Sequence, residues 1–341
     1  MTKAFITGVA GTRLSNAERA FIAAERPWGF ILFKRNISAP DQVVSLIGEL
    51  RACVGEPDAP VLIDQEGGRV QRLGPPNWPV YPPGAVFGRL FDIDPEFGLK
   101  SARLSARLIA DDLFSLGITV DCLPLADVPV AGADAVIGDR AYGTDPVKVA
   151  RIARAVTDGL EEGGVLPVLK HIPGHGRATA DTHFRLPVVD TDEGELNRTD
   201  FAAFRPLADL PMAMTAHVVF SALDPLRPAT TSATMIEQVI RGAIGFKGLL
   251  MSDDVSMNAL AGSIAERAEA IFAAGCDLVL HCNGTLAEMA EVARETPVLS
   301  GKAKQRAASA LAARKPPLPF DRQAARAELD VLIEQAGTAG V

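Results

Sequence analysis

The chain has 341 residues, of which 48% are hydrophobic and 22% charged, so it is long enough to bury a substantial core. Its formal net charge of −8 at pH 7 argues against a nucleic-acid-binding surface, which needs clustered Lys and Arg. No apolar stretch of the sequence approaches the roughly 18 residues of a membrane span, and the four cysteines form no CxxC pair. We therefore expect a soluble cytoplasmic protein with reduced, buried thiols.

Eight short apolar runs follow one another along the chain, separated by stretches with helical periodicity. In chain order, the runs are AFITGVAG, GFILFKRN, PVLIDQEGG, GITVDCLPLADV, VLPVLKHIPG, PMAMTAHVVF, GLLMSDDVSM and CDLVLHCNG. Most are continuously apolar rather than alternating, as expected of parallel strands that are covered on both faces. The stretches between them, such as LSNAERAFIAAER and VKVARIARAVTDGLEEGG, predict amphipathic helices.

Strand alternating with helix about eight times predicts an α/β fold, namely a single (β/α)8 TIM barrel. A doubly wound open sheet is the alternative, but the first strand-to-helix turn, GVAGTRLS, lacks the GxGxxG spacing of a dinucleotide site. The Pro- and Gly-rich residues 69–93 are expected to run over the surface before the next helix. One domain is predicted over residues 1–341, with a helical tail from about residue 315.

The predicted strands end abruptly in polar side chains. These are Asn36, Asp64, Asp127, Lys170, His171, His217, Asp253, Asp254, His281 and Asn283. Strand ends that lead into polar loops would explain one or two of them, but hardly all. Because the carboxyl ends of barrel strands converge on one face, we predict that these residues surround an active-site mouth.

The segment KHIPGHGRATADTH, residues 170–183, holds three of the five histidines. His171 and His175 have the spacing of a helical metal pair, but the Pro-Gly between them disfavours a helix, so neither a metal nor a cofactor is predicted. Asp181 and His183 lie two residues apart and share one side of an extended segment. Such a carboxylate can hold an imidazole for proton transfer, although an Asp–His surface pair is the simpler interpretation of these two residues alone.

Two further clusters carry carboxylates. Asp253, directly after an apolar strand, is placed to attack a sugar's anomeric carbon, whereas Asp254 is better suited to bonding local amides. Asp64 precedes Arg69 and Arg72 and could grip sugar hydroxyls with them, or form only a salt-bridged turn.

These stretches resemble the single-domain β-N-acetylglucosaminidases of glycoside hydrolase family 3. The resemblance covers nearly the whole chain and rests on GFILFKRN, LIDQEGGRVQRL, VIGDRAYGTDP, KHIPGHGRATADTH, MTAHV, GLLMSDDVSM and AGCDLVLHCN, which occur in the family's order. One stretch departs from it: DCLPLADV stands where the family more usually reads something like NFAPVLDV.

The resemblance implies roles for particular residues. Asp253 corresponds to the nucleophile, His183 to the acid/base and Asp181 to its partner. The positions that bind the hydroxyls and acetamido group of N-acetylglucosamine (GlcNAc) are matched by Asp64, Arg72, Arg140, Lys170 and His171. The implied fold is a (β/α)8 barrel, and the implied activity is removal of terminal β-linked GlcNAc, without metal or cofactor. The substrate would be GlcNAc-1,6-anhydro-N-acetylmuramic acid, with or without peptide, in cytoplasmic cell-wall recycling, and we expect a monomer with no nucleic-acid or membrane partner.

Three alternatives remain at this point. The first is a phosphorylase on the same fold. Phosphate could enter such a site because an uncharged imidazole repels it less than a carboxylate does. In substrate-assisted catalysis the acetamido oxygen would attack, with Asp253 and Asp254 orienting it. An inert sugar-binding barrel would have no need of the Asp181, His183 and Asp253 set. The choice among β-GlcNAc, β-GalNAc and β-glucoside also stays open.

Overall fold

The computed structural model describes residues 1–178, 182 and 185–338, with the backbone alone for the last four. Within these residues, eight parallel strands form the central sheet. Their bounds are β1 Lys3–Thr7, β2 Pro27–Leu32, β3 Val61–Ile63, β4 Val120–Asp121, β5 Leu166–Pro167 continued by Leu169–Ile172, β6 Met212–Thr215, β7 Leu249–Asp254 and β8 Leu278–His281.

The strands pair in chain order and the sheet closes on itself. The first strand pairs in parallel with β2 on one side and with β8 on the other. The two segments of β5 complete the ring, since the first pairs with β4 and the second with β6. This closure confirms the predicted (β/α)8 barrel and excludes the open doubly wound sheet.

Helices surround the barrel. They are α1 Asn16–Glu25, α2 Pro40–Val54, α3 Gly84–Ile93, α4 Pro95–Leu116, α5 Pro146–Glu162, α6 Glu193–Arg198, α7 Asp200–Phe204, α8 Ile264–Ala274, α9 Leu286–Glu295, α10 Gly301–Ala312 and α11 Arg322–Thr338, with a π-helix at Met235–Ala243 between β6 and β7. Capping boxes at Ser15 and Ser263 begin α1 and α8, because each serine and the glutamate three residues later satisfy each other's backbone N–H groups. Among the helices of the described chain, none is long and apolar enough to cross a membrane.

The expectation for residues 69–93 was wrong in part. Residues 84–93 form α3, and the preceding Pro-rich stretch is exposed at residues 75–77 and 80 but is tied inward on either side of them. Gln71 holds it there: its side-chain amide donates to the carbonyls of Leu73 and Pro79 and accepts from the N–H of Tyr81. Trp78 and Tyr81 are buried as a result.

Alternation along the strands separates two apolar layers. One set of side chains, including Leu62, Val168 and Met251, fills the barrel interior. The other set, including Val61, Leu169 and Leu250, packs outward against the helices. Because successive strand residues point to opposite faces, the residues two positions beyond the interior set also face the barrel axis, at its carboxyl end.

Candidate active site

Strand alternation brings three predicted residues to the same cavity. Asp64, Lys170 and Asp253 each lie two residues beyond an interior side chain of their strand, and all three line a cavity of about 310 Å³ at the carboxyl end of the barrel. Its floor is apolar and includes Met214 and Leu280. A cavity with charged walls and an apolar floor therefore lies at the carboxyl end of the barrel, where the sequence predicts the active-site mouth.

One wall is a cluster of three cations and two carboxylates, which we call the charged cluster: Asp64, Glu66, Arg72, Arg140 and Lys170. The Lys170 ammonium lies 2.6 Å from Glu66 Oε1 and 3.1 Å from Asp64 Oδ1. Arg72 Nη2 donates to Asp64 Oδ2 at 2.9 Å, and Arg140 binds both oxygens of Glu66, at 2.7 and 2.8 Å. Each carboxylate therefore bridges two cations.

These pairs keep the charged cluster ionised although it is largely buried. Burial raises the pKa of each carboxyl, but Lys170, Arg72 and Arg140 outweigh it, so the pKa of Asp64 falls well below its usual range and that of Glu66 falls to about 2. Burial likewise disfavours the Lys170 cation, yet its two carboxylate partners raise its pKa above the usual range. Fixed donors and acceptors of this kind suit the recognition of adjacent sugar hydroxyls.

Sequence reasoning missed Glu66. It was passed over because it lies in the short strand Gln65–Gly67 after β3 rather than at the end of a barrel strand, and its partner Arg140 is 74 residues away. Arg69 lines the rim of the cavity, where it pairs with the exposed Asp139 and donates to the carbonyls of residues 135–137.

A carboxylate–imidazole pair lies next to the charged cluster. Asp127 Oδ2 is 2.7 Å from His171 Nδ1, and Asp127 Oδ1 accepts the backbone N–H of His175 at 2.6 Å. Burial raises the pKa of Asp127, but the two histidines lower it overall. Because Asp127 is a hydrogen-bond acceptor here, it fixes His171 with its Nδ1 proton inward and leaves Nε2 for the cavity.

The His175 ring also borders the cavity. Burial and the neighbouring His171 lower its pKa to about 4, so the imidazole is neutral at pH 7. Its Nδ1 is buried and has no hydrogen-bond partner among the described residues.

Asp253 faces this wall from the end of β7. Its carboxylate is only half-buried, accepts the backbone N–H of Asp254 at 2.8 Å and forms no ion pair with a described residue. Burial raises its pKa, but the neighbouring His217 and His171 lower it overall, so the group is ionised. The Asp254 carboxylate instead accepts from Ser256 and from the N–H of Cys282, the local role expected of it.

Of the remaining residues predicted at strand ends, some contact the backbone next to the cavity and others have partners away from it. The buried His217 contacts the backbone beneath Asp254. Asn36 donates to the carbonyls of Val9 and Gly11 without lining the cavity, and His281 pairs with Glu288. The mouth is therefore built by some of the strand ends only.

Two of the predicted catalytic residues, Asp181 and His183, lie outside the described residues. Thr182 between them is described: it lines the cavity, and its carbonyl accepts the N–H of Ala259 at 3.1 Å. The described part of this loop therefore borders the same cavity as Asp253.

A larger groove, of about 820 Å³, lies between α4, α5 and α7 on the outside of the barrel. Its arginines are committed to surface carboxylates, for example Arg103 to Glu162 and Arg154 to Asp209, and it lies far from the strand ends. Across the described part of the chain, no group of three His, Cys, Asp or Glu is arranged to hold a metal ion.

A closed barrel with an ionised carboxylate and a charged cluster at one cavity is typical of a barrel enzyme of the glycosidase class. The chain belongs to glycosyl hydrolase family 3, since the sequence profile of the family's N-terminal domain matches residues 5–313. This confirms the family resemblance.

The relatives agree with one another. The chain is 39% identical over 280 residues to a beta-hexosaminidase of Alkalilimnicola ehrlichii (81% of this chain, 79% of the relative) and 38% identical over 285 residues to one of Xanthomonas campestris (82% and 85%). Among solved structures, NagZ from Neisseria gonorrhoeae matches with a TM-score of 0.85 at 32% identity and covers 97% of this chain and 98% of its own. The predicted enzyme class, a β-N-acetylhexosaminidase among the glycoside hydrolases, is confirmed.

Proposed function

We propose that this protein is a retaining exo-β-N-acetylglucosaminidase that removes the terminal GlcNAc from peptidoglycan fragments. The proposed substrate is GlcNAc-1,6-anhydro-N-acetylmuramic acid, with or without attached peptide, and the proposed setting is cell-wall recycling in the cytoplasm by a monomeric enzyme. The observation that carries the proposal is the ionised Asp253 facing the charged cluster across one cavity.

The size and lining of the cavity support removal of a single end sugar. At about 310 Å³ it is at the small end of ligand sites, and the charged cluster closes the wall opposite Asp253. Donors and acceptors from Asp64, Arg72 and Lys170 would hold the hydroxyls, while Arg140 and His171 would hold the remaining hydroxyl and acetamido groups. A longer chain could then extend only from the anomeric side.

The proposed reaction proceeds in two steps. In the first, Asp253 attacks C1 and forms a covalent ester, the glycosidic C1–O bond breaks, and His183 protonates the leaving oxygen. In the second, His183 takes a proton from water, the water oxygen attacks C1, and the ester bond breaks to release GlcNAc with retained configuration. Asp181 would hold the His183 imidazole in the tautomer that donates toward substrate.

The pair Asp127–His171 gives a competing assignment of the acid/base. It is a carboxylate–imidazole pair on the cavity wall, with the chemistry that the proposal gives to Asp181 and His183. Its position beside the charged cluster favours a sugar-binding role, because Lys170 and His171 are adjacent in sequence and share that wall. Substitution of each histidine separates the two assignments.

The direct test is release of nitrophenol from 4-nitrophenyl β-GlcNAc by wild type, His183→Ala and His171→Ala. We expect His183→Ala to lose mainly kcat and His171→Ala to raise mainly KM, because only the first removes the proton donor. An azide-rescued kcat in His183→Ala would add support, since a small nucleophile needs no general base in the second step. An unchanged kcat in His183→Ala would refute its role.

The alternatives are tested with the same enzyme. Parallel assays with the β-GalNAc and β-glucoside nitrophenyl sugars establish the sugar preference. Added phosphate should leave the rate and the product unchanged, whereas a phosphorylase would yield GlcNAc 1-phosphate. Absence of turnover with all these sugars would favour a sugar-binding barrel.

A further inference from the structure

His217 is a fully buried imidazole that contacts the backbone of the strand carrying Asp253. Its Nε2 lies 3.0 Å from the carbonyl oxygen of Asp254, and its Nδ1 lies 2.8 Å from the hydroxyl of Thr230. The Asp254 carbonyl also accepts the N–H of Met257, so the turn after β7 is fixed at this one oxygen from two sides.

Residue 254 connects His217 to the proposed nucleophile. Its N–H donates to Asp253 Oδ1 at 2.8 Å, its carbonyl accepts from His217, and its carboxylate accepts from Ser256 and from the N–H of Cys282. Every polar group of residue 254 is thus held, and the N–H is the one that sets the direction of the Asp253 carboxylate. The Asp254 carbonyl belongs to the peptide that follows the one carrying this N–H. Loss of the His217 contact would therefore loosen the turn at residue 254 and, through it, the direction of the N–H.

The hydrogen-bond partners of His217 determine its tautomer. Because a carbonyl can only accept, Nε2 must carry a proton. The Thr230 hydroxyl has a single proton to share among His217 Nδ1, the Thr215 hydroxyl and the carbonyl of Ala216. When it turns to Nδ1, it holds the ring with the Nε2 proton toward the Asp254 carbonyl.

We propose that His217, oriented by Thr230, is a positioning residue for Asp253: it holds the carbonyl of Asp254, the residue whose N–H aims the nucleophilic carboxylate. This inference rests on the proposed function, since it assumes that Asp253 attacks the sugar. His217 itself is separated from the cavity by the residues it supports.

Thr230→Val tests this with little change in shape. It removes the hydroxyl beside Nδ1, so the imidazole loses the partner that orients it toward the Asp254 carbonyl. Thr230→Ser keeps the hydroxyl and serves as the rescue variant, and Thr231→Val, at a neighbouring threonine that does not contact His217, serves as the control.

With 4-nitrophenyl β-GlcNAc, we expect Thr230→Val to lower kcat about tenfold with KM changed less than about twofold, as for loss of one orienting hydrogen bond in the transition state. Thr230→Ser should recover most of kcat, and Thr231→Val should match wild type. Urea unfolding of each variant verifies that the folded enzyme is assayed.

A wild-type kcat in Thr230→Val would overturn the proposal, and equal losses in the Val and Ser variants would reduce Thr230 to a packing residue. Asp253→Asn separates this failure from failure of the proposed function. If Asp253→Asn is inactive while Thr230→Val is normal, only the positioning role is wrong. If Asp253→Asn keeps full activity, the nucleophile assignment itself is wrong.

Discussion

Among the members of the charged cluster, we expect loss of Glu66 to reduce both the unfolding free energy and the affinity for substrate the most. It is 8% exposed and bridges Lys170 and Arg140, so Glu66→Gln keeps the shape but leaves two buried cations short of a partner. Removing one partner of a buried ion pair costs about 3–5 kcal/mol. The low pKa gives a similar value: about 2 rather than 4.5, at about 1.4 kcal/mol per pH unit, corresponds to about 3 kcal/mol.

The assay is urea unfolding of wild type and Glu66→Gln at several pH values, with KM for 4-nitrophenyl β-GlcNAc measured beside it. Because the pKa of Glu66 is lower in the folded state, its contribution is complete above pH 4.5 and is lost as the pH falls through about 2. We expect a difference in unfolding free energy of about 3 kcal/mol at pH 7 that narrows by roughly 1 kcal/mol by pH 4.

The control for Glu66→Gln is Glu56→Gln, which breaks the exposed pair with Arg26 and should cost less than about 1 kcal/mol. KM should rise in Glu66→Gln alone, because Arg140 loses the two bonds that hold it at the cavity wall. A cost below about 1 kcal/mol at pH 7, or a difference that widens toward acid, would refute this account of the charged cluster.

Three further predictions follow from single residues. Asp253→Asn should lower kcat on the order of 10³-fold or more with KM little changed, measured on the same nitrophenyl sugar; a loss in KM alone would contradict it. Asp121→Asn should stabilise the fold, increasingly so from pH 5 to pH 9. Burial raises the pKa of Asp121 well above its usual value, so ionisation of this carboxyl opposes folding as the pH rises. Asn keeps the acceptor for the Gln65 N–H. Urea unfolding across that range measures this, and a pH-independent difference would contradict it. Gly176→Ala should cost about 1–3 kcal/mol in the same assay, since its Cβ would lie 2.2 Å from the Val128 carbonyl, and full stability would contradict it.

The barrel could be predicted because each barrel strand has a local sequence signal. Runs such as GFILFKRN and GLLMSDDVSM are apolar, short and bounded, and they coincide with β2 and β7. Helix α3 was missed because Pro and Gly dominate residues 69–93, although Val86, Phe87 and Leu90 have helical spacing and are buried. The tie between Gln71 and this stretch is a tertiary contact that no local pattern reveals.

The candidate site was predictable where alternation alone decides it. Asp64, Lys170 and Asp253 continue the inward-facing set of their strands, so their convergence follows from the fold. Glu66 comes from the short strand Gln65–Gly67 and Arg140 from the 3-10 helix Gly138–Arg140, so their bidentate pair depends on how these two connections meet. His281 ends β8 and Asn36 lies in a 3-10 turn after β2, but their side chains have partners away from the cavity, which the strand-end pattern cannot distinguish.

The Asp127–His171 pair also depends on tertiary structure. The sequence placed Asp127 and His171 at the ends of two adjacent strands without joining them, and the structure adds the 2.7 Å contact that fixes the ring. That contact is the reason why two histidines, and not one, must be tested as proton donors.

The central claim, that Asp253 forms a covalent bond to the sugar, is tested most directly by trapping the intermediate. A fluorinated GlcNAc fluoride, which forms the ester quickly and loses it slowly, is incubated with the enzyme, and the labelled peptide is identified by mass spectrometry. The account predicts one sugar per chain, attached to Asp253 in the peptide that spans LLMSDDVSM, and no label in Asp253→Asn. A label on any other residue would contradict it and assign the nucleophile to that residue. An enzyme that turns over 4-nitrophenyl β-GlcNAc yet is never labelled would also contradict it and would favour attack by the acetamido oxygen.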